Sequence, residues 1–488
     1  MSLAPIPQEV SPPPKLRRGI SRRQALAAAL ATGVGIGAVR LLGGSMQNLA
    51  HPRTASTTDW ISPLGSESAR VMQLLRRTSF GYTPADLETA LSDGFNKTVD
   101  RLIETKPVEP PVLAAATTPG GRFAVAQLQQ WWIGHMLSTT TPFAERMTLF
   151  WHGHFTSDYR KAANDTFMYW QNLTWRRMSM TNLRPMLMQV TTDPAMLRYL
   201  DLATSTGQSP NENYSRELME LFTMGAGNYT EQDVRESAKA LAGWTLPQPD
   251  STASVTVDQA NKVMQRLGVY STQKPGVFNK RRAYQGSVTY LGKAGRLDTQ
   301  GVIDRILAQP ATASSIAAKV AQHFVTAQPD AAFVKTLADS FRRSNYDVKT
   351  LMRAVFTSPQ FNAAQSYRTL VKSPTEFMVH AARALGASNL ARVAVASGSG
   401  MGQSLFDPPD VSGWPNNESW ISSNTVVERV NFVTAALGQA KSLPSASDAA
   451  RTHLDGVVSP QTATLLNQSA DDRARWFVIL ASPEFQLK

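Results

Sequence analysis

The chain has 488 residues, 42% of them hydrophobic, and a formal charge of +12. Length alone suggests about three domains of ordinary size, with ample material for a large core. The absence of cysteine excludes disulfides, thiolate catalysis and cysteine-based zinc or iron–sulfur sites.

Ser21-Arg22-Arg23 precedes an Ala- and Gly-rich apolar run from Ala25 to Val39. Basic region, arginine pair and apolar run come in the order of a twin-arginine export signal. The run falls short of the roughly 20 residues that a spanning helix needs, so no stable transmembrane anchor is expected. Residues 1–50 read as signal and N-terminal tail, 51–66 as a linker, and 67–488 as a single large helical domain. The expected location is the periplasm or the exterior. Nucleic acid is not an expected partner there, whereas an anionic glycan suits a mildly basic protein.

Helix-start signals recur along the mature part. Thr83-Pro84-Ala85-Asp86, Thr141-Pro142-Phe143-Ala144-Glu145, Ser209-Pro210-Asn211-Glu212 and Ser373-Pro374-Thr375-Glu376 share one grammar. The hydroxyl caps free N–H groups, proline at the first position loses no hydrogen bond, and the acid reaches back to the cap. Asp193-Pro194 and Thr230 with Asp233 are further caps. After Pro210, Tyr214, Leu218, Leu221 and Phe222 fall on one stripe, and Gly225 supplies a left-handed stop. Strand-like alternation is scarce, the best case being Ser287 to Leu291. The predicted fold is mostly α, a large multi-helix globular domain with long irregular connections and little β. Residues 247–286 read as an insertion or long connection.

Three constellations carry chemistry. In Trp151-His152-Gly153-His154-Phe155 the imidazoles of His152 and His154 suit one divalent metal ion, provided a carboxylate joins them. The alternative is a pair of hydrogen-bonded core histidines. In the block from Asn211 to Glu220, helical spacing puts Asn213, Glu217 and Glu220 on a common face. Glu217 borders the apolar stripe, which raises a carboxylate's pKa or makes it a ligand. Arg216 lies four residues from both Glu212 and Glu220, an ion-pair spacing. Glu217, Glu220 and Arg216 are the candidate catalytic residues. Asn211, Asn213 and Trp414 are the candidate substrate-binding residues. Trp414 belongs to the third constellation, Asp407 to Pro415, which reads as a rigid turn or as a sugar-stacking loop. Asp193, Asp201 and Asp233 read as caps or surface acids, and His51, His323, His380 and His453 as isolated structural residues.

Together these blocks resemble the bacterial exported domain-of-unknown-function 1800 family, from about Ala69 to Leu487. The carriers are Phe150–Phe155 (FWHGHF), Thr192–Asp201 (TDPAMLRYLD), Pro210–Phe222 (PNENYSRELMELF), Tyr229–Val234 (YTEQDV) and Pro408–Pro415 (PPDVSGWP). The resemblance implies a largely helical exported protein and a companion of a sulfatase- or phosphatase-like exported family. It implies no reaction. The family's His-Asp-x-Gly-x-Lys block is broken here. Gly286 matches, while Ala283, Tyr284 and Val288 replace the His, Asp and Lys. Two readings follow. One is a metal-dependent hydrolase of envelope or extracellular polymers, with His152, His154 and Glu217 on the metal. The other is a non-catalytic scaffold for the companion, with Glu217 and Arg216 in a buried polar network.

Overall fold

The computed structural model describes residues 63–113, 124–247 and 275–488. The expected signal, most of the linker and residues 248–274 lie outside the described residues. Those described form 22 α-helices and two small two-stranded sheets, as the sequence predicts. None of these helices is long and apolar enough to cross a membrane.

The first group comprises α1 (Glu67–Thr78), α2 (Pro84–Asp93), α3 (Phe95–Glu104), α4 (Val125–Ser138), α5 (Pro142–His154), α6 (Tyr159–Ala162) and α7 (Asp165–Met178). Next come α8 (Leu183–Thr192), α9 (Pro194–Tyr199), α10 (Asn213–Glu220) and α11 (Glu231–Leu241). Strand β1 (Trp244–Thr245) pairs antiparallel with β2 (Val277–Phe278), Trp244 opposite Phe278. Strand β3 (Val288–Tyr290) pairs with β4 (Lys293–Gly295), Val288 opposite Gly295. There follow α12 (Thr299–Leu307), α13 (Pro310–Phe324), α14 (Ala331–Arg343) and α15 (Val348–Phe356). The last group is α16 (Pro374–Ala384), α17 (Ala391–Gly400), α18 (Ser423–Gln439), α19 (Ala449–Leu454), α20 (Pro460–Gln468), α21 (Asp472–Ala481) and α22 (Pro483–Gln486).

Several caps form as predicted. Thr83 with Asp86, Thr230 with Asp233, and Ser373 with Glu376 make reciprocal capping boxes. Asp193 accepts from the Met196 N–H. Two caps do not form. Glu145 does not reach back to Thr141, because its carboxylate is taken elsewhere. The Ser209-Pro210 segment stays outside the helix. Helix α10 begins at Asn213, and Glu212 makes no cap bond. The Asn213 N–H goes instead to Asn211 Oδ1 at 2.9 Å, a local turn that competes with helix.

Apolar side chains assemble into two main clusters. Helix α5 serves both, with Phe143, Met147, Phe150 and Trp151 in one and Leu149 in the other. Helix α7 is divided likewise between Trp175 and Met168. Each fully buried large side chain contributes roughly 1.5–3 kcal/mol. The two helices are locked by the Glu145–Arg176 ion pair, whose side chains are both 0% exposed. Trp132 Nε1 donates to Glu145 at 2.8 Å, and Arg176 Nη2 donates to it at 3.0 Å. Burial pushes the Glu145 carboxyl up, but the Arg176 charge, together with the hydrogen bonds from His135 and Arg176, outweighs it and holds it at about 2. Leu64 packs with Ala69 and Tyr367, so the end of the expected linker joins the fold.

Candidate functional site

The last turn of α5 presents two histidines in different surroundings. His152 is buried between Trp132, Phe406 and Trp414, with ring centroids 4.9, 4.9 and 5.2 Å away. Its Nε2 accepts the Phe406 N–H at 3.1 Å. Burial lowers its pKa to about 3, so it stays neutral. His154 Nε2 lies 3.1 Å from the Phe222 carbonyl. A carbonyl only accepts, so Nε2 carries the proton and Nδ1 is left to accept from Lys319 Nζ at 3.4 Å. Burial first, then the Lys319 charge, depresses His154 well below the ordinary histidine range. Lys319, on α13, also donates to the Leu221 carbonyl, and burial lowers its ammonium to about 8. The α5 terminus, the end of the 210–222 block and α13 are thereby stitched together.

The Asp407–Pro415 segment closes over this end of α5. Asp410 Oδ1 accepts from the Ser412 N–H at 2.8 Å, and the Gly413 N–H donates to the Asp410 carbonyl at 3.2 Å. Gly413 has φ +89°, and a Cβ there would collide with the Gly153 carbonyl oxygen and lie 3.1 Å from Thr156 Oγ1. Only glycine allows both that backbone angle and that approach. The segment is a rigid turn, and it sets Trp414 beside His152.

Between these parts lies a cleft of about 210 Å³ whose lining includes His154, Lys319, His323, Trp414, Glu376 and Lys488. It sits where the two core clusters meet, since Phe150 of one and Leu149 of the other both line it. Glu376 holds the capping bond to the Ser373 N–H at 2.7 Å and pairs with Arg146 and Lys488. His323 Nε2 and Trp414 Nε1 are buried without a hydrogen-bond partner among the described residues.

The other expected site residues lie elsewhere. Glu217 is half-buried on α10, its pKa raised by burial and then by Glu220. Glu220 accepts from the Tyr229 hydroxyl. Arg216 makes a two-pronged bond to Glu231 at 2.6 and 2.9 Å and lies 3.5 Å from Glu212. It is a surface ion pair, not the buried network expected of it. Asn213 Nδ2 donates to Asp201 at 3.1 Å. None of Asn211, Asn213, Arg216, Glu217 and Glu220 lines the cleft. Among the described residues no three His, Asp or Glu side chains are grouped to hold a metal ion. His152 has its lone pair committed to a backbone N–H, and His154 is engaged at both nitrogens. The His152–His154–Glu217 ligand set therefore does not come together among the described residues.

Two histidines expected to stand alone are paired, His380 Nε2 lying 3.3 Å from His453 Nδ1. Sequence reasoning also missed Lys319 and the place of His323. Their spacing, four apart on α13, was the available signal, because it puts both on one helix face. Of the broken family block, Ala283 and Tyr284 pack against Gly243 and Gly207, Val288 is 3% exposed, and none lines the cleft.

The fold and the cleft define a mostly helical protein whose FWHGHF and PPDVSGWP motifs and PNENYSRELMELF block meet in one polar pocket. The chain belongs to the family described as protein of unknown function (DUF1800), whose family model matches residues 73–487. No curated protein and no solved structure matches it.

Proposed function

We propose that this cleft is the working site of an exported ligand-binding protein, and that it takes a polar saccharide of an envelope or extracellular polymer. The carrying observation is convergence. Parts of the chain that are far apart in sequence, at 150–155, 221–222, 319–323 and 412–417, supply one pocket. Trp414 gives it an aromatic wall suited to a sugar ring, and the asparagines Asn416 and Asn417 add polar edges. The twin-arginine segment supports export. A metal-dependent hydrolase is the weaker reading, because His152 and His154 are engaged by the Phe406 N–H, the Phe222 carbonyl and Lys319, and Glu217 does not line the cleft.

A second reading has one observation in its favour. An ammonium lowered to about 8 beside a neutral imidazole suits proton transfer near neutral pH. Lys319 and His154 would then perform acid–base hydrolysis.

Tryptophan fluorescence of the purified protein, titrated with neutral and acidic oligosaccharides, tests the binding reading. At least one sugar gives a saturable change that Trp414→Ala abolishes while its melting temperature stays near that of the parent. Saccharide binding undiminished in Trp414→Ala would place the site elsewhere.

A further inference from the structure

Charge within the cleft is unbalanced. Glu376 is the carboxylate in its lining, and it is shared by Arg146 and Lys488. Among the described residues Lys319 has no carboxylate partner. Its contacts are the Leu221 carbonyl and the His154 imidazole. Arg77, whose charge together with those of Lys488 and Arg146 reaches His323, is bonded to the carbonyls of Val325 and Ser366. Two cations, Lys319 and Lys488, thus line the cleft beside one side-chain carboxylate, which Arg146 also shares. Buried charge without a counter-charge is costly, and a bound anion removes that cost. The free hydrogen-bonding capacity points the same way. Lys319 has three N–H groups and two protein acceptors. Among the described residues Trp414 Nε1–H is a donor with no partner, and His323 Nε2 has none either. Donors in excess of acceptors, around a pocket with surplus positive charge, select a ligand group with several oxygens and more than one negative charge.

We propose that the cleft seats a tetrahedral oxyanion, a phosphoryl or sulfuryl group carried by its ligand, on Lys319 with Trp414 and His323 alongside. The proposal rests on the cleft being the functional site and names the chemical class of what enters it. A carboxylate, planar and singly charged, leaves more of the donors and more of the charge unmet. The lowered Lys319 ammonium fits an ammonium awaiting its counter-ion, since an anion beside it raises it again.

Isothermal titration of the full chain with inorganic phosphate, inorganic sulfate and acetate tests the seat. Phosphate or sulfate is expected to bind saturably at one site, acetate at least tenfold more weakly, and Lys319→Met to lose at least tenfold in affinity for the oxyanion. A hexose 6-phosphate and a hexose 6-sulfate then tell which ester is preferred. Should Lys319→Met fail to fold, mass-spectrometric mapping of amine acylation on the unmodified protein replaces it, with Lys319 protected by the oxyanion. Oxyanion binding unchanged in Lys319→Met, or no protection of Lys319, overturns the proposal. Saccharides that bind at Trp414 while phosphate and sulfate do not overturn the oxyanion seat and leave the cleft reading standing. Failure of saccharides and oxyanions alike removes both.

Discussion

His152→Ala separates a packed histidine from a metal ligand. In the fold this imidazole fills the space between Trp132, Phe406 and Trp414 and satisfies the Phe406 N–H at 3.1 Å. Truncation leaves a void among three aromatic rings and a buried donor without a partner. An unsatisfied buried donor costs about 1–3 kcal/mol, and cutting a large buried side chain to alanine costs about 2–5 kcal/mol. The two losses overlap, so the expected destabilisation is about 3–5 kcal/mol. Urea unfolding followed by circular dichroism measures it, with an unchanged denaturant slope. Elemental analysis of parent and variant runs alongside and is expected to give the same metal content for both. A loss below about 1 kcal/mol, accompanied by loss of a stoichiometric metal held by the parent, would refute the packing argument and restore the metal reading.

Gly413→Ala is expected to cost about 2–4 kcal/mol, from a strained positive φ and a collision with the Gly153 carbonyl. The same unfolding assay reads it, and a neutral result would mean that the 407–415 turn does not rest on α5. Glu145→Gln leaves Arg176 buried without its counter-charge and should destabilise by about 3–5 kcal/mol. Arg216→Ala, on a surface pair, should stay within about 1 kcal/mol. The reverse order in a side-by-side melt would overturn this assignment of the buried network. Stability is also expected to fall in acid. His152 and His453 are lowered by burial from 6.5 to about 3 and about 4, so as pH drops below 6.5 the unfolded chain takes up protons before the folded one. Glu145, at about 2 when folded, adds a loss between 4.5 and 2. Asp193, raised by burial to about 7, acts oppositely and offsets part of the loss between 7 and 4. A urea midpoint constant from pH 7 to 4 would contradict this balance.

Much of the fold was legible because its determinants are local. Thr83, Thr230 and Ser373 cap where their own neighbours dictate, and Tyr214, Leu218 and Phe222 are buried as their spacing predicts. The two failed caps, at Thr141 and Ser209, show local grammar losing to tertiary partners. Glu145 meets Arg176 from 31 positions away, and no window of sequence around Thr141 contains that residue. The site divides in the same way. The His152–His154 and Trp414 motifs mark the right place, but their roles depend on partners such as the Phe406 N–H, the Phe222 carbonyl and Lys319. Glu217, Glu220 and Arg216 stood out because their residue types carry chemistry, yet none of them lines the pocket, to which Leu221, just past the end of α10, contributes. Lys319 and Lys488 gave no motif, since a lone lysine on an amphipathic helix or in a final turn looks like solvated surface.

Titration with inorganic sulfate from pH 6 to 10 tests the oxyanion cleft most directly, because sulfate keeps its charge throughout and the change in affinity belongs to the protein. His154 and His323 stay neutral over that range, and Lys488 is committed to Glu376. Burial lowers Lys488 as well, so the titration is repeated on Lys319→Met, and the difference between parent and variant is the part of the pH dependence that belongs to Lys319. Saturable binding that is level at low pH and weakens about tenfold per unit above about 8 is the predicted result. Absence of saturable binding, or an affinity that is flat through pH 8 to 10, would contradict the account.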